Sequence, residues 1–150
     1  MVSCVIQFHA GPQLTFRLPV DKYRLLVGKE TCDAFTCAFA AAVESNDHVG
    51  AIRNFYAPDA QTRENNNPPI AGRDVLAEKE RRVLESVTSV ATTRLGPLFL
   101  DGDHSAICWR FEFTRKDGSK WAMEEMALQT WRGEQVAEER FFYDPKQMGR

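Results

Sequence analysis

Apolar positions recur along this chain at two spacings, and the spacing changes once. In the first part they fall at three- and four-residue steps: Cys32, Phe35, Phe39, Ala42 and Val43, then Val49, Ile52, Phe55 and Tyr56. Side chains so spaced share one face of a helix. The pattern predicts two helices, the first capped by Thr31 or Asp33 and the second, after the break at Asn46, by Asp47. Pro58 lacks an amide hydrogen and restricts Ala57 before it, so the second helix stops there. A short strand, Ala60 to Glu64, follows, and then the loop Asn65-Asn66-Asn67-Pro68-Pro69. Gly72-Arg73-Asp74 opens a third helix reaching about Val87, with Leu76, Glu80, Val83, Leu84 and Val87 on its stripe. Glu80 therefore occupies an apolar face. Either it borders a cavity, or the helix rotates and Glu80 pairs with Arg73 or Arg81 at the surface.

After Ser89 the period becomes two. Segments Val90 to Leu100, Ser105 to Arg115, Lys120 to Trp131 and Gln135 to Tyr143 are separated by Asp101-Gly102-Asp103, Lys116-Asp117-Gly118 and Arg132-Gly133-Glu134, which are hairpin turns. The prediction is a four-stranded antiparallel meander with the short strand at 60–64 added along it, an α+β arrangement. Alternation sorts the last three strands into two faces. One face gathers Ile107, Trp109, Phe111 and Phe113; Trp121, Met123, Glu125, Ala127, Gln129 and Trp131; and Ala137, Glu139, Phe141 and Tyr143. Large, mostly aromatic, and broken by two carboxylates and an amide, it has the composition of an apolar pocket with a few oriented polar groups. The other face mixes Ala106, Cys108, Met126, Leu128 and Val136 with Arg110, Glu112, Glu124, Glu138 and Arg140. It suits a partly polar subunit interface, so a homodimer through this outer face is expected, the alternative being a solvated surface with ion pairs.

Composition narrows the class. The 150 residues are 43% apolar and 27% charged, enough for one domain with a real core. A net charge of −2 with both signs interspersed gives no footprint for nucleic acid or an anionic membrane. No apolar run approaches the ~20 residues of a membrane span, and the first residues lack a secretory pattern, so a cytoplasmic protein is expected. Cys4, Cys32, Cys37 and Cys108 have no metal-ligand spacing and are expected to be reduced space-fillers. None of His9, His48 and His104 is placed as an obvious base. Residues 1–30, with apolar runs Val2 to Phe8 and Leu14 to Val20, read as an N-terminal hairpin or arm; 31–145 form the domain and 146–150 a tail.

The motifs Asn54-Phe55-Tyr56-Ala57-Pro58-Asp59-Ala60, Ala71-Gly72-Arg73-Asp74 and Leu128-Gln129-Thr130-Trp131-Arg132-Gly133 resemble the superfamily of nuclear transport factor two, ketosteroid isomerase and scytalone dehydratase. Within it the chain is most similar to the SnoaL-like polyketide-cyclase group. The resemblance implies a cone-shaped roll, with three helices packed on a strongly bent antiparallel sheet, working without metal or organic cofactor. It places Glu64 where ketosteroid isomerases hold their proton-shuttling aspartate. Phe39 and Ala127 stand where those enzymes carry the oxyanion-binding tyrosine and protonated aspartate. It thus implies the role of base for Glu64, while Glu125 and Glu139, set among the aromatic side chains of the inner face, are expected to have raised pKa values and to exchange protons as further catalytic groups. The expected guest is a small hydrophobic, oxygenated ligand contacting Phe39, Glu80, Trp109, Phe111, Met123, Gln129, Phe141 and Tyr143. Two further possibilities stay open: a non-enzymatic ligand-binding or dimerisation module with paired acids, and an adaptor.

Overall fold

The computed structural model describes residues 33–148, so the expected N-terminal arm lies outside the described residues. The first helix, α1, spans Ala34–Glu44. Of the two expected caps it uses Asp33, whose carboxylate accepts from the amides of Phe35 (2.8 Å) and Thr36 (2.9 Å). Thr36, Phe39 and Ala40 are its buried residues, whereas Phe35 is left 40% exposed, so the stripe is rotated from its expected line. Helix α2, His48–Phe55, is capped by Asp47. Strand β1, Tyr56–Glu64, begins at once rather than at Ala60. Pro58 is accommodated because the pairing register of β1 breaks between Tyr56 and Gln61, where no amide from Pro58 is required. The two-residue β2, Ile70–Ala71, and helix α3, Arg73–Ser86, complete the first half.

The expected first long strand is two strands. Strand β3 spans Val87–Arg94 and β4 spans Phe99–Asp101. Between them Gly96 has a positive φ of 77° beside Pro97, which breaks the ladder. Strands β5 (His104–Arg115), β6 (Lys120–Arg132) and β7 (Gln135–Phe142) are the predicted hairpins, followed by a 3-10 turn, Pro145–Met148. Gln147 in that turn bonds both the amide and the carbonyl of Glu124 on β6.

The sheet runs β2-β1-β7-β6-β5-β3, with β4 also on β5. The meander is antiparallel as predicted, but β1 pairs with β7 in parallel, which makes the sheet mixed. Three helices packed on this sheet give the α+β architecture expected from the sequence. The β5–β6 ladder holds Trp109 opposite Glu125, Phe111 opposite Met123 and Phe113 opposite Trp121. The aromatic face thus keeps its predicted phase there. On β7 it does not hold throughout: Trp131 pairs with Val136 while Thr130 pairs with Glu138, so Ala137 is bulged out and Val136 turns inward, fully buried. Past the bulge Glu139 is back on the inner face, 4% exposed. The main core joins Phe39, Ala51, Tyr56 and Leu76 from the first half to Ile107, Trp109, Ala127 and Val136 of the sheet. A second cluster, Val87, Phe113 and Met123, closes the other end.

Candidate functional site

Where the helices lean away from the aromatic face they leave a cavity of about 110 Å³. Its apolar wall is Phe39, Val43, Ala51, Ile52, Trp109, Phe111 and Phe141, and its polar groups are His48, Tyr56, Glu80, Glu125 and Glu139. Of the residues expected at the site, Phe39, Glu80, Trp109, Phe111, Glu125, Glu139 and Phe141 meet here. Gln129 lies behind Glu139, Met123 belongs to the second cluster, and Glu64 and Tyr143 bond one another beside the cavity.

Glu139 ends a chain of hydrogen bonds whose direction is forced. The indole nitrogen of Trp131 can only donate, and it donates to Ser105 Oγ at 2.8 Å. Ser105 therefore turns its own hydrogen towards Gln129 Oε1, 2.7 Å away. That orients the amide so that Gln129 Nε2 donates to Glu139 Oε1 at 2.7 Å. The Tyr56 hydroxyl donates to the other oxygen, Oε2. Burial pushes Glu139 up to about 7, although the Gln129 and Tyr56 hydrogen bonds pull the other way. Tyr56 is itself held well above its ordinary value, first by burial and then by Glu139, so it stays a donor.

Glu125, opposite Trp109 on the next strand, has no hydrogen-bond partner among the described residues. It is pushed up to about 8, chiefly by burial and then by the charges of Glu139, Glu64 and Glu80. Near neutral pH it carries a proton.

Glu80 resolves its two expectations in favour of the cavity. It does not pair with Arg73 or Arg81; His48 Nδ1 lies 3.0 Å from its Oε1. The tautomer that satisfies both contacts donates from Nδ1 to the carboxylate and accepts on Nε2 from Thr92 Oγ1 at 2.8 Å. The imidazole also meets Phe111 edge to face at 5.7 Å. His48 is thus a buried site residue and not the surface histidine that a helix start suggests.

Glu64 has the opposite environment to Glu125. Its oxygens take Lys79 Nζ and, at 2.7 Å, the Tyr143 hydroxyl. Burial is the largest single influence and works upward, but those two hydrogen bonds and the Lys79 charge outweigh it, leaving Glu64 below its ordinary value. In the parallel pairing Glu64 is in register with Phe141, which lines the cavity.

The sequence pointed weakly to what was missed. A tyrosine on a buried helix stripe needs a hydroxyl partner, which marks Tyr56. A histidine opening a helix whose neighbour carries a carboxylate on its apolar stripe marks His48. Cys108 is a free thiol, but Cys37 is disulfide-bonded, contrary to the expectation of reduced cysteines. Among the described residues no His, Cys, Asp and Glu group could hold a metal ion, and no helix is long and apolar enough to cross a membrane.

Solved structures with the same arrangement are numerous. A SnoaL-like polyketide-cyclase candidate from Mesorhizobium loti is 26% identical, with a TM-score of 0.61 over 73% of this chain and 96% of its own. The chain has the nuclear transport factor two-like fold and is similar to SnoaL-like proteins. A ketosteroid isomerase-like protein from Catenulispora acidiphila, solved with trimethylamine, shares the fold at 20% identity and a TM-score of 0.65, covering 78% of this chain and 90% of its own. A second SnoaL-like candidate, from Jannaschia, shares it at 13% identity, with the same TM-score of 0.65 and the same coverages of 78% and 90%. No family model matches the sequence, and no curated protein is significantly similar to it. Against the ketosteroid-isomerase pattern, this chain has apolar side chains at Phe39, in the cavity wall, and at the fully buried Ala127. The hydrogens of Tyr56 and Gln129 are both directed at Glu139.

Proposed function

We propose that this cavity binds a small, largely apolar, oxygenated molecule and that the protein transfers a proton next to its carbonyl, as isomerases, cyclases and dehydratases do. The observation carrying this is Glu125: a carboxyl on an apolar wall, without a partner among the described residues, pushed up to about 8. Protonated, it is a donor aimed at a guest's oxygen and would stabilise a developing enolate. Glu64 is the base in this reading. Its position follows the resemblance to ketosteroid isomerases, it is ionised at neutral pH, and its charge reaches Glu125. Its lowered pKa makes it a weak base, so the reaction leans on the donor; ketosteroid isomerase likewise combines a weakly basic aspartate with strong oxyanion donors. At about 110 Å³ the cavity favours a guest of few heavy atoms, well below the ~300–1,000 Å³ of drug-sized pockets.

The test is solvent deuterium exchange at the α-carbon of small cyclic ketones, followed by NMR. Glu64→Gln should slow exchange by about 10²–10⁴ with binding retained, and Glu125→Gln by about 10²–10³. Exchange by the native chain that neither variant slows would remove both from the mechanism.

A second reading, a ligand-binding or dimerisation module without catalysis, is favoured by the pairing of the other acids: Glu64 with Lys79, Glu80 with His48, and Glu139 with Tyr56 and Gln129. It predicts no exchange with any ketone, and a loss of about 1–2 kcal/mol of stability in Glu64→Gln, whose ion pair is partly exposed. In both readings we propose a homodimer through the outer sheet face. Arg110 is occupied there by Glu124 (2.9 Å) and Glu112 (3.2 Å) of its own chain, leaving Met126 and Leu128, 41% and 39% exposed, as the apolar contact. Sedimentation should show a dimer that Met126→Lys with Leu128→Lys converts to monomer; a native monomer at high concentration would refute it.

A further inference from the structure

Three carboxylates line the cavity, and no lysine or arginine among the described residues does. Lys79, whose charge reaches Glu125, is engaged by Glu64. His48 has both ring nitrogens occupied, by Glu80 and Thr92. The partners of Glu139 are neutral groups, Tyr56 and Gln129, and Glu125 has none among the described residues. A carboxylate so enclosed is costly unless a proton or a cation answers its charge. The remaining wall joins the aliphatic Val43, Ala51 and Ile52 to four aromatic rings, Phe39, Trp109, Phe111 and Phe141, and ring faces attract cations. No metal-holding group exists among the described residues, so the geometry favours a cation that needs no tight oxygen shell.

We infer that the cavity is a receptor for a small alkylammonium ion, held by the carboxylates of Glu125 and Glu139 among Trp109, Phe111 and Phe141. The inference rests on the reading above only in taking this cavity as the ligand site; it needs no proton transfer. It does reverse the role of Glu125. A neutral carbonyl guest uses the carboxyl's hydrogen, whereas an ammonium ion uses the carboxylate and expels the proton.

The two guests therefore respond oppositely to pH. The groups whose charges act on Glu125 are Glu139 from β7, Glu64 from β1, and Glu80 and Lys79 from α3; His48 from α2 and Tyr56 from β1 complete the titratable lining. Because Glu125 titrates near 8, ammonium binding tightens as pH rises through that value, and carbonyl binding tightens as pH falls through it.

The experiment is calorimetric titration of the full chain with tetramethylammonium, whose charge does not depend on pH, at constant ionic strength. Tert-butanol serves as a neutral isostere, and cyclohexanone is measured in parallel. Binding should be about tenfold or more tighter at about pH 9 than at about pH 6. Glu125→Gln, which removes a charge that opposes folding and so should fold, is expected to lose about tenfold in affinity and most of the pH dependence. Tert-butanol should not bind. No binding of tetramethylammonium at either pH overturns the inference, and so does binding that ignores both pH and Glu125→Gln. Cyclohexanone reports separately on the carbonyl reading, so either proposal can fail alone.

Discussion

Glu64 and Glu125 are the same residue type on the same sheet, and their environments drive them apart. At the end of β1, Glu64 is reached by the Lys79 ammonium and the Tyr143 hydroxyl, and it is held below its ordinary value despite partial burial. On β6, Glu125 meets apolar wall and three other carboxylates and is pushed up to about 8. Glu139 stands between them, buried at least as deeply but supplied with two donors, and lies near 7. Burial raises all three. Glu64 is only half buried and has the Lys79 charge besides, whereas between the two deep carboxyls the supply of donors makes the difference.

The comparison can be broken most severely at Glu139. Gln129→Leu removes the link between Ser105 and Glu139, leaving a buried carboxylate oxygen without its amide donor and the Ser105 hydroxyl hydrogen without an acceptor. Denaturant unfolding should show a loss of about 3–5 kcal/mol at neutral pH. A loss under about 1 kcal/mol would mean the chain of bonds does not hold Glu139 in place.

Glu125→Gln acts in the opposite direction. A carboxyl whose folded value is about 8, against an ordinary 4.5, keeps its proton in the native state, so stability falls as pH rises from about 4.5 to 8 and levels off above. The amide escapes that loss. The variant should match the native chain near pH 4 and exceed it by several kcal/mol above pH 8. Equal pH profiles for the two proteins would contradict the partner-poor assignment.

How far this contrast could be seen in the sequence depends on which contact makes it. Alternation alone put Glu125 and Glu139 on one aromatic face, and the β5–β6 register bears that out through Trp109 opposite Glu125. The helices and hairpins were equally plain, because they follow from local period and from Gly-containing turns. Their partners were not. His48 meets Glu80 across 32 residues, and Tyr56 meets Glu139 across 83, contacts fixed by packing of α2 against α3 and of β1 beside β7. The parallel seating of β1 has no local signature, and the bulge at Ala137 exchanged the expected roles of Ala137 and Val136. A period-two argument has no way to register one inserted residue.

Smaller changes sharpen the Glu64 side. Lys79→Met removes its cation. Because the folded value of Glu64 is lowered, its contribution is present above the ordinary 4.5 and fades as pH falls below it. With the pair partly exposed, at 38% and 31%, and screened by solvent, the expected loss at neutral pH is about 1 kcal/mol, shrinking towards acid pH. A loss independent of pH would assign the effect to packing of the lysine stem. Smaller still is Tyr143→Phe, which deletes one donor at 2.7 Å and should cost about 0.5–1 kcal/mol while moving Glu64 upward. An unchanged Glu64 titration would show that the hydroxyl is not among its determinants.

The most direct measurement is a carbon-13 NMR titration of the side-chain carboxyls, with resonances assigned through Glu64→Gln and Glu125→Gln. Glu125 should titrate near 8 and Glu64 below its ordinary 4.5. Glu125 titrating near 4.5, or Glu64 titrating above Glu125, would contradict the account.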